Sequence, residues 1–429
     1  MTTPSRPTPR ASQLCAGVRL STANHGGGAA SAFAGGSPGF YTPPSSLPAD
    51  NGAIIRSESM KLGVNLPSPD GKATRIMYRS TDTNDQPVAV TGTYIEPKAA
   101  WKGAGARPLV TYAEGTQGQG DKCAPSYSLE NAIGGGIGYE VPNISKLVSK
   151  GFAVVVTDYV GLGTTDRVHT YVNRLDQGRA VLDAARAALR VPGASVTASS
   201  AVGAYGYSQG GGATASAAEL APTYAPDVNL KGVYAGAPPA DLNAVMKTAD
   251  GTSLTAVIGF AVNGFLETYP QLQSVLDAET NQAGKDALAK IATGCIGEGL
   301  AGFAFQKTSK WTTSGKSISE VVAGRPEVKA IVDAQRIGTL KPSVPVRLVT
   351  GTQDDIVTHG QVKQLAVDWC AKGASVSYVP VIQLFGTGGT SLNHLVPMLT
   401  EGDGAVKWLS DRLAGTTATS NCASVPTMK

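Results

Sequence analysis

Residues 206–210 read Gly-Tyr-Ser-Gln-Gly, which matches the pattern Gly-x-Ser-x-Gly. In this pattern the serine occupies a sharp turn between a strand and a helix, where its hydroxyl is exposed for nucleophilic attack. The apolar run at 202–205 precedes the motif, and small residues follow it at 211–215. Glycines flank the serine because side chains there would collide with the neighbouring backbone. We therefore predict that Ser208 is a catalytic nucleophile; the alternative is a packing turn of small residues.

A serine hydroxyl needs a base to become a good nucleophile, and the chain has four histidines. In enzymes that use this motif, the order along the chain is serine, acid, histidine. His25 and His169 precede Ser208, which leaves His359 and His394. His394 follows the last predicted strand, where the base belongs, whereas His359 begins a helix directly after the acid loop. We predict that His394 is the base and that His359 is an ordinary residue at a helix N-terminus.

The acid is expected just after the penultimate strand at 344–349, where two adjacent carboxylates occur, Asp354 and Asp355. Neighbouring residues on a loop point in different directions, so only one of them can orient the imidazole. We predict Asp354 as the acid and Asp355 as a solvated or capping neighbour. Asp158 also ends a predicted strand, but it precedes Ser208, and we predict a structural role for it.

The negative charge that develops on a carbonyl oxygen during attack needs two backbone N–H donors, which form an oxyanion hole. One donor is predicted to be Gln209, the residue after the nucleophile. The other is predicted in the glycine-containing loop after an early strand, with Thr116 as the first choice and Gly115 as the alternative. A plain glycine turn is the other interpretation of this loop.

The elements around these residues predict an α/β fold. Short apolar runs that end in glycine or a polar residue alternate with amphipathic helical patterns at 176–189 and 361–370, which favours a mostly parallel sheet with helices on both faces. In such sheets, reactive groups collect at the carboxyl ends of the strands. The apolar runs lie at 108–112, 152–156, 202–205, 344–349 and 375–382.

The chain of 429 residues is long enough for one large domain with an insertion. Residues 1–50 contain no acidic residue before Asp50 and are interpreted as a disordered leader or export remnant. Residues 51–239 are predicted to form the first part of the α/β core, 240–324 a helical cap, and 325–429 the second part of the core.

Composition excludes several classes of function. The chain has 36 Lys and Arg against 32 Asp and Glu, with no basic block, so no nucleic-acid partner is expected. No apolar run approaches the roughly 18 residues of a membrane span. Neither a metal-binding motif nor a dinucleotide loop is present, so we predict no metal and no cofactor. The low charged fraction, 16%, favours an exported, extracellular protein.

Four of the five cysteines lie in the predicted globular part. We predict a disulfide between Cys123 and Cys295 that joins the cap to the core, and one between Cys370 and Cys422 that holds the C-terminal tail. The alternative is four reduced, buried thiols. Cys15 is left over in the predicted leader.

The chain resembles the secretory lipase family of α/β-hydrolases from about residue 39 to residue 422. The resemblance implies a helical lid, an acyl-binding tunnel beneath it and hydrolysis of carboxylic esters, and it supports Asp354 as the acid. The chain departs from the family at Thr358, where the family has proline, in the glycine-rich stretch at 385–390, and at Glu114, where many members have histidine. The resemblance rests on residues 40–44, 78–82, 114–118, 123–126, 158–163, 207–211, 354–357 and 369–374.

We therefore expect a secreted serine hydrolase of the lipase or esterase type that cleaves hydrophobic carboxylic esters through an acyl-enzyme intermediate. We expect it to be a monomer whose cap makes transient contact with a lipid interface. Two alternatives stay open at this point: an acyltransferase with the same triad, and a non-catalytic lipid-binding protein on a hydrolase scaffold. The sequence alone does not determine the acyl chain length.

Overall fold

The computed structural model describes residues 39–63, 68–131, 138–383 and 388–428. Most of the predicted leader, including Cys15 and His25, lies outside these residues. The last part of that predicted leader is packed: Phe40 and Tyr41 are buried and form a small apolar cluster with Met77 and Ala89. Packed residues are therefore already present about ten residues before the boundary predicted at residue 50.

Within the described residues, nine strands form one sheet in the order β1-β2-β3-β5-β4-β6-β7-β8-β9. The pairs β1–β2, β2–β3 and β3–β5 are antiparallel, and every pair from β5 to β9 is parallel. The strands are β1 Ile54–Met60, β2 Gly71–Thr81, β3 Pro87–Pro97, β4 Leu109–Ala113, β5 Ala153–Val160, β6 Val202–Tyr207, β7 Leu230–Gly236, β8 Val346–Gly351 and β9 Val376–Val381.

The described residues also form fourteen α-helices. Buried residues of α3, α4 and α12 pack on one face of the sheet, and those of α2 and α14 pack on the other, which confirms the predicted mostly parallel α/β fold with helices on both faces. The helices are α1 Pro125–Asn131, α2 Val141–Ser149, α3 Arg174–Ala188, α4 Gln209–Tyr224, α5 Leu242–Ala249, α6 Ala256–Thr268, α7 Gln273–Glu279, α8 Gln282–Ala292, α9 Ile296–Phe303, α10 Ile318–Gly324, α11 Pro326–Asp333, α12 His359–Ala371, α13 Leu392–Thr400 and α14 Gly402–Leu413.

Seven of these helices, α5 to α11, lie between β7 and β8, and all of them except α7 contribute buried residues to a second apolar core. Met246, Phe260, Ile291 and Phe303 are among its buried residues. Because the helices of this segment pack on a core of their own, their apolar residues follow the spacing of a helix and not the alternation of apolar and polar residues typical of a strand. The segment was predicted as a cap over 240–324; in the structure its helices continue to Asp333.

Both predicted disulfides are present. Cys123 is bonded to Cys295, which joins the loop after β4 to the start of α9, and Cys370 is bonded to Cys422, which joins α12 to the C-terminal segment. No helix in the described part of the chain is long and apolar enough to cross a membrane.

Candidate active site

Ser208 lies on a strained turn between β6 and α4. Its backbone has φ of 57° and ψ of −121°, and its N–H donates to the carbonyl of Gly236 at 2.9 Å. A Cβ on Gly206 would lie 2.2 Å from the carbonyl oxygen of Gly210, and a Cβ on Gly210 would lie 1.9 Å from that of Ala113. Both contacts are impossible for a real side chain, so the motif needs glycine at both positions. The strain presents the serine hydroxyl at the carboxyl edge of the sheet.

The structure brings together the three residues that were predicted as a catalytic triad. Nε2 of His394 lies 2.8 Å from Oγ of Ser208, and Nδ1 of the same ring lies 2.9 Å from Oδ2 of Asp354. The Asp354 carboxylate also accepts the backbone N–H groups of Ile356 and Val357, at 3.0 and 2.8 Å. These bonds hold the carboxylate in one orientation, so that it can bind Nδ1–H and leave Nε2 to accept the serine proton.

The electrostatics of this group suit a general base. Burial by itself lowers the pKa of His394, but the charge and hydrogen bond of Asp354, together with the charge of Asp355, outweigh it and raise the pKa above its ordinary value of 6.5. A raised pKa means that the imidazolium form, which exists after proton abstraction, is stabilised by the site. The base must be neutral to act, so activity is expected to fall as the pH drops through this pKa.

Asp355 holds the start of α13, the helix that carries His394. Its carboxylate accepts the backbone N–H of Ser391 at 2.9 Å and that of His394 at 3.2 Å. Ser391 precedes α13 and His394 is its third residue, so the carboxylate caps this helix from a different loop. The predicted capping role fits this geometry, whereas the alternative of a solvated side chain does not, because Asp355 is buried.

The other candidate residues occupy structural positions. His359 is the first residue of α12, and its ring lies 3.2 Å from the hydroxyl of Tyr378. Asp158 is buried and accepts hydrogen bonds from the hydroxyls of Thr91 and Ser126. Both placements agree with the structural roles predicted for them.

The loop after β4, residues 114–118, contains the two candidates for the second oxyanion donor and is called the oxyanion loop below. Of these two candidates, Thr116 is the one whose backbone N–H is free within the described part of the chain. The N–H of Gly115 already donates to Oε1 of Glu140 at 2.9 Å, so the alternative based on Gly115 is not supported. The N–H of Thr116 makes no hydrogen bond within the described part of the chain. Gln209 is the first residue of α4, and N–H groups in the first turn of a helix have no acceptor inside the helix. Two free backbone donors therefore border Ser208.

Burial favours the uncharged form of the Glu114 carboxyl, which begins the same loop. Burial raises its pKa well above the ordinary value, and the neighbouring carboxyls of Glu140 and Asp158 raise it further. A shift in this direction reduces the negative charge beside the place where an oxyanion would form.

An apolar cavity opens at Ser208 towards the helices between β7 and β8. Thr116 and Gln209 form part of its wall, together with residues of α5 and α6. A second apolar cavity lies among these helices and is not lined by Ser208. Four residues line both cavities: Met246, Ile258, Ala261 and Phe265. Among the described residues, no group of His, Cys, Asp and Glu side chains could hold a metal ion.

Comparison with known proteins places the chain in a family. A model of the secretory lipase family matches residues 130–421, about two thirds of the chain. The chain belongs to the secretory lipase family. This family member is 29% identical over 382 residues to a probable inactive lipase of Mycobacterium tuberculosis, a match that covers 88% of this chain and 82% of the relative. It is 25% identical to a secreted triacylglycerol lipase of Malassezia globosa over 89% of this chain and 82% of that protein.

The solved structures agree on the fold. The crystal structure of Candida antarctica lipase A in its closed state matches this secretory lipase family member with a TM-score of 0.75 over 89% of this chain and 87% of that one. Sequence identity is 21%, so the likeness extends to the α/β-hydrolase architecture and no further.

Sequence reasoning missed several residues around the site of this family member. Glu140 holds the oxyanion loop through Gly115, and Tyr171 hydrogen-bonds the side chain of Thr116 at 2.7 Å. His169 was set aside because it precedes Ser208. No local motif marks these residues. The one signal in the sequence was that His169, one of four histidines in the chain, had no assigned role.

Proposed function

We propose that this chain is a secreted serine hydrolase that cleaves carboxylic esters, as lipases and esterases do. The observation that supports this most directly is the continuous hydrogen-bonded chain from Ser208 through His394 to Asp354. Two free backbone N–H groups border the serine, and an apolar cavity leads away from it. Membership in the secretory lipase family and the two disulfides support export to an oxidising environment.

In this mechanism, Nε2 of His394 takes the proton from Ser208 as Oγ attacks the carbonyl carbon of the ester. The N–H groups of Gln209 and Thr116 stabilise the negative charge on the carbonyl oxygen. Collapse of the tetrahedral intermediate releases the alcohol, which receives its proton from His394, and leaves an acyl group on Ser208. Water, activated by the same histidine, then releases the acid. Throughout, Asp354 stabilises the imidazolium.

The substrate would be an ester with a hydrophobic acyl group. The cavity next to Ser208 has an apolar lining that excludes a charged acyl chain, since burying an unpaired charge is costly.

We further propose transient contact with a lipid interface and a monomeric, cofactor-free enzyme. Phe305 and Leu392 each leave 60% of their surface exposed. The N–H of Phe305 donates to the carbonyl of Thr252. The hydroxyl of the next residue, Ser253, donates to that of Ser391, which precedes Leu392, so the two exposed side chains lie on connected segments.

A fluorophosphonate probe tests the proposed function. We expect stoichiometric labelling of the purified protein, with the adduct located on Ser208 by peptide mass spectrometry and absent after denaturation. Prior treatment with a p-nitrophenyl ester is expected to slow labelling. An unlabelled chain that still binds fatty acid would support the non-catalytic scaffold instead. That alternative is worth testing because the mycobacterial relative is a probable inactive lipase.

Acyl chain length is predicted to depend on Ala261, which lines both apolar cavities. The Ala261→Trp substitution would place an indole ring in the wall that the two cavities share. We expect kcat/KM for p-nitrophenyl laurate to fall at least about tenfold, because each methylene kept out of an apolar site forfeits about 0.8 kcal/mol. Hydrolysis of p-nitrophenyl acetate is expected to stay within about twofold.

Ala301→Trp is the matched control, since it adds the same ring to an exposed position on α9. It is expected to leave the chain-length profile unchanged. If Ala261→Trp lowers kcat/KM equally for the acetate and the laurate ester, the second apolar cavity does not receive the acyl chain.

A further inference from the structure

His169 is a buried histidine that the proposed mechanism does not use. Its Nδ1 lies 2.8 Å from the carbonyl oxygen of Val160, and its Nε2 lies 3.0 Å from the side-chain nitrogen of Gln209. A carbonyl can only accept and an amide nitrogen can only donate, so the ring carries its hydrogen on Nδ1 and accepts at Nε2. Burial lowers the pKa of His169 to about 4, which keeps the ring in this neutral form.

Two tyrosines pack against this ring, and each holds one residue of the oxyanion loop. Tyr159 stacks on His169 with ring centroids 5.8 Å apart, and its hydroxyl donates to the carbonyl of Glu114. Tyr171 meets the ring edge-on at 5.9 Å, and its hydroxyl lies 2.7 Å from Oγ1 of Thr116. The ring therefore contacts the supports of the loop on one side and Gln209 on the other.

We propose that His169 is a positioning residue for the oxyanion hole, holding Gln209 directly and Thr116 through Tyr171. This inference rests on the proposed function. The side chain of Gln209 is 2% exposed and borders the cavity at Ser208. Without an acceptor at Nε2, this buried amide would lose the hydrogen bond that fixes its orientation beside Ser208.

The energetic reason is that oxyanion stabilisation depends on donors placed in advance. A donor works when it lies about 2.7–3.1 Å from the position of the oxyanion, and loss of one donor costs about 10²- to 10³-fold in kcat. Loosening both donors without removing either should cost less than that. Because the contact exists with the transition state and not with the bound ester, kcat should fall while KM stays nearly constant.

The test uses His169→Phe, Gln209→Met and the double variant in the full chain. Phenylalanine keeps the stacked ring and removes the acceptor, and the carbonyl of Val160 keeps a partner because it also accepts the N–H of Thr170. We expect His169→Phe to lower kcat on p-nitrophenyl butyrate about 10- to 100-fold, with KM within about threefold. In the Gln209→Met background the same change should cost no more than about threefold, since the contact is already gone.

His169→Gln provides the rescue variant, because its side-chain oxygen can accept at the position of Nε2. We expect its kcat to recover to within about fivefold of the unsubstituted chain. Binding of a trifluoromethyl ketone, which mimics the tetrahedral intermediate, should weaken in parallel with kcat across the series.

Losses that multiply fully in the double variant, or a change in KM alone, would overturn the inference. If His169→Phe does not fold, Gln209→Met decides, and an unchanged kcat in that variant would count against it. An unsubstituted chain that neither hydrolyses esters nor reacts with the fluorophosphonate would overturn the proposed function, and this inference with it.

Discussion

We expect the Ser208→Ala variant to hydrolyse p-nitrophenyl butyrate about 10⁴- to 10⁶-fold more slowly than the unsubstituted chain, because it removes the atom that would form the acyl-enzyme. The fold should survive. The serine side chain makes no capping hydrogen bond to α4, and a φ of 57° is no more strained for alanine than for serine. Steady-state kinetics and far-ultraviolet circular dichroism measure both expectations.

A serine elsewhere serves as the control for this variant. Ser410 lies in α14, where its hydroxyl donates to the carbonyl of Val406. Ser410→Ala should keep full activity and react with a fluorophosphonate as the unsubstituted chain does. Residual activity above about one per cent in pure Ser208→Ala protein would mean that another group is the nucleophile.

The Asp354→Asn variant is expected to lower kcat by about 10⁴-fold with its structure intact. An amide at this position can donate to Nδ1 of His394 and so favour the tautomer with its hydrogen on Nε2, which cannot accept the proton of Ser208. The acid limb of the pH profile should also move. The Asp354 carboxylate raises the pKa of His394, while burial lowers it, so its removal lets the limb shift to lower pH.

Asp355→Asn separates the two neighbouring carboxylates. Asp355 accepts two backbone N–H groups, whereas the imidazole of His394 hydrogen-bonds Asp354. Asp355 also raises the pKa of His394, but less than Asp354 does. We therefore expect kcat to fall by less than about tenfold, the acid limb to move to lower pH by less than in Asp354→Asn, and the midpoint of thermal unfolding to drop. A larger kinetic loss in Asp355→Asn than in Asp354→Asn would reverse the assignment of the acid.

The Ser208 and Asp354 variants matter because family membership alone does not establish activity. The chain belongs to the secretory lipase family, and one of its relatives is named a probable inactive lipase. An intact hydrogen-bonded chain of serine, histidine and aspartate is what this molecule offers in favour of catalysis. The kinetic and labelling experiments measure whether that arrangement reacts.

Much of the site was predictable because its signals are local or ordered along the chain. The turn at Ser208 is specified by adjacent glycines, and the structure confirms why neither can bear a side chain. Order along the chain singled out His394, since strands that alternate with helices present their ends at one edge of the sheet. Periodicity likewise predicted the parallel sheet and the helical segment between β7 and β8.

The choice between neighbouring residues came only from tertiary structure. Asp354 and Asp355 are chemically identical, and they differ because one meets the ring of His394 and the other meets its backbone N–H, each from about 40 residues away. Gly115 and Thr116 differ because Glu140 occupies one N–H and leaves the other free.

The roles of His169 and the tyrosines beside it arise in the same way. The sequence by itself determined the fold class and the residue types of the predicted triad, because turn geometry, apolar periodicity and chain order are properties of the chain. The disulfide pairing was one expectation among alternatives, and the tertiary structure decided it. Which donor meets which acceptor depends on packing between distant segments. A buried polar group is specified only when folding brings its partner to it, as Gln209 meets His169.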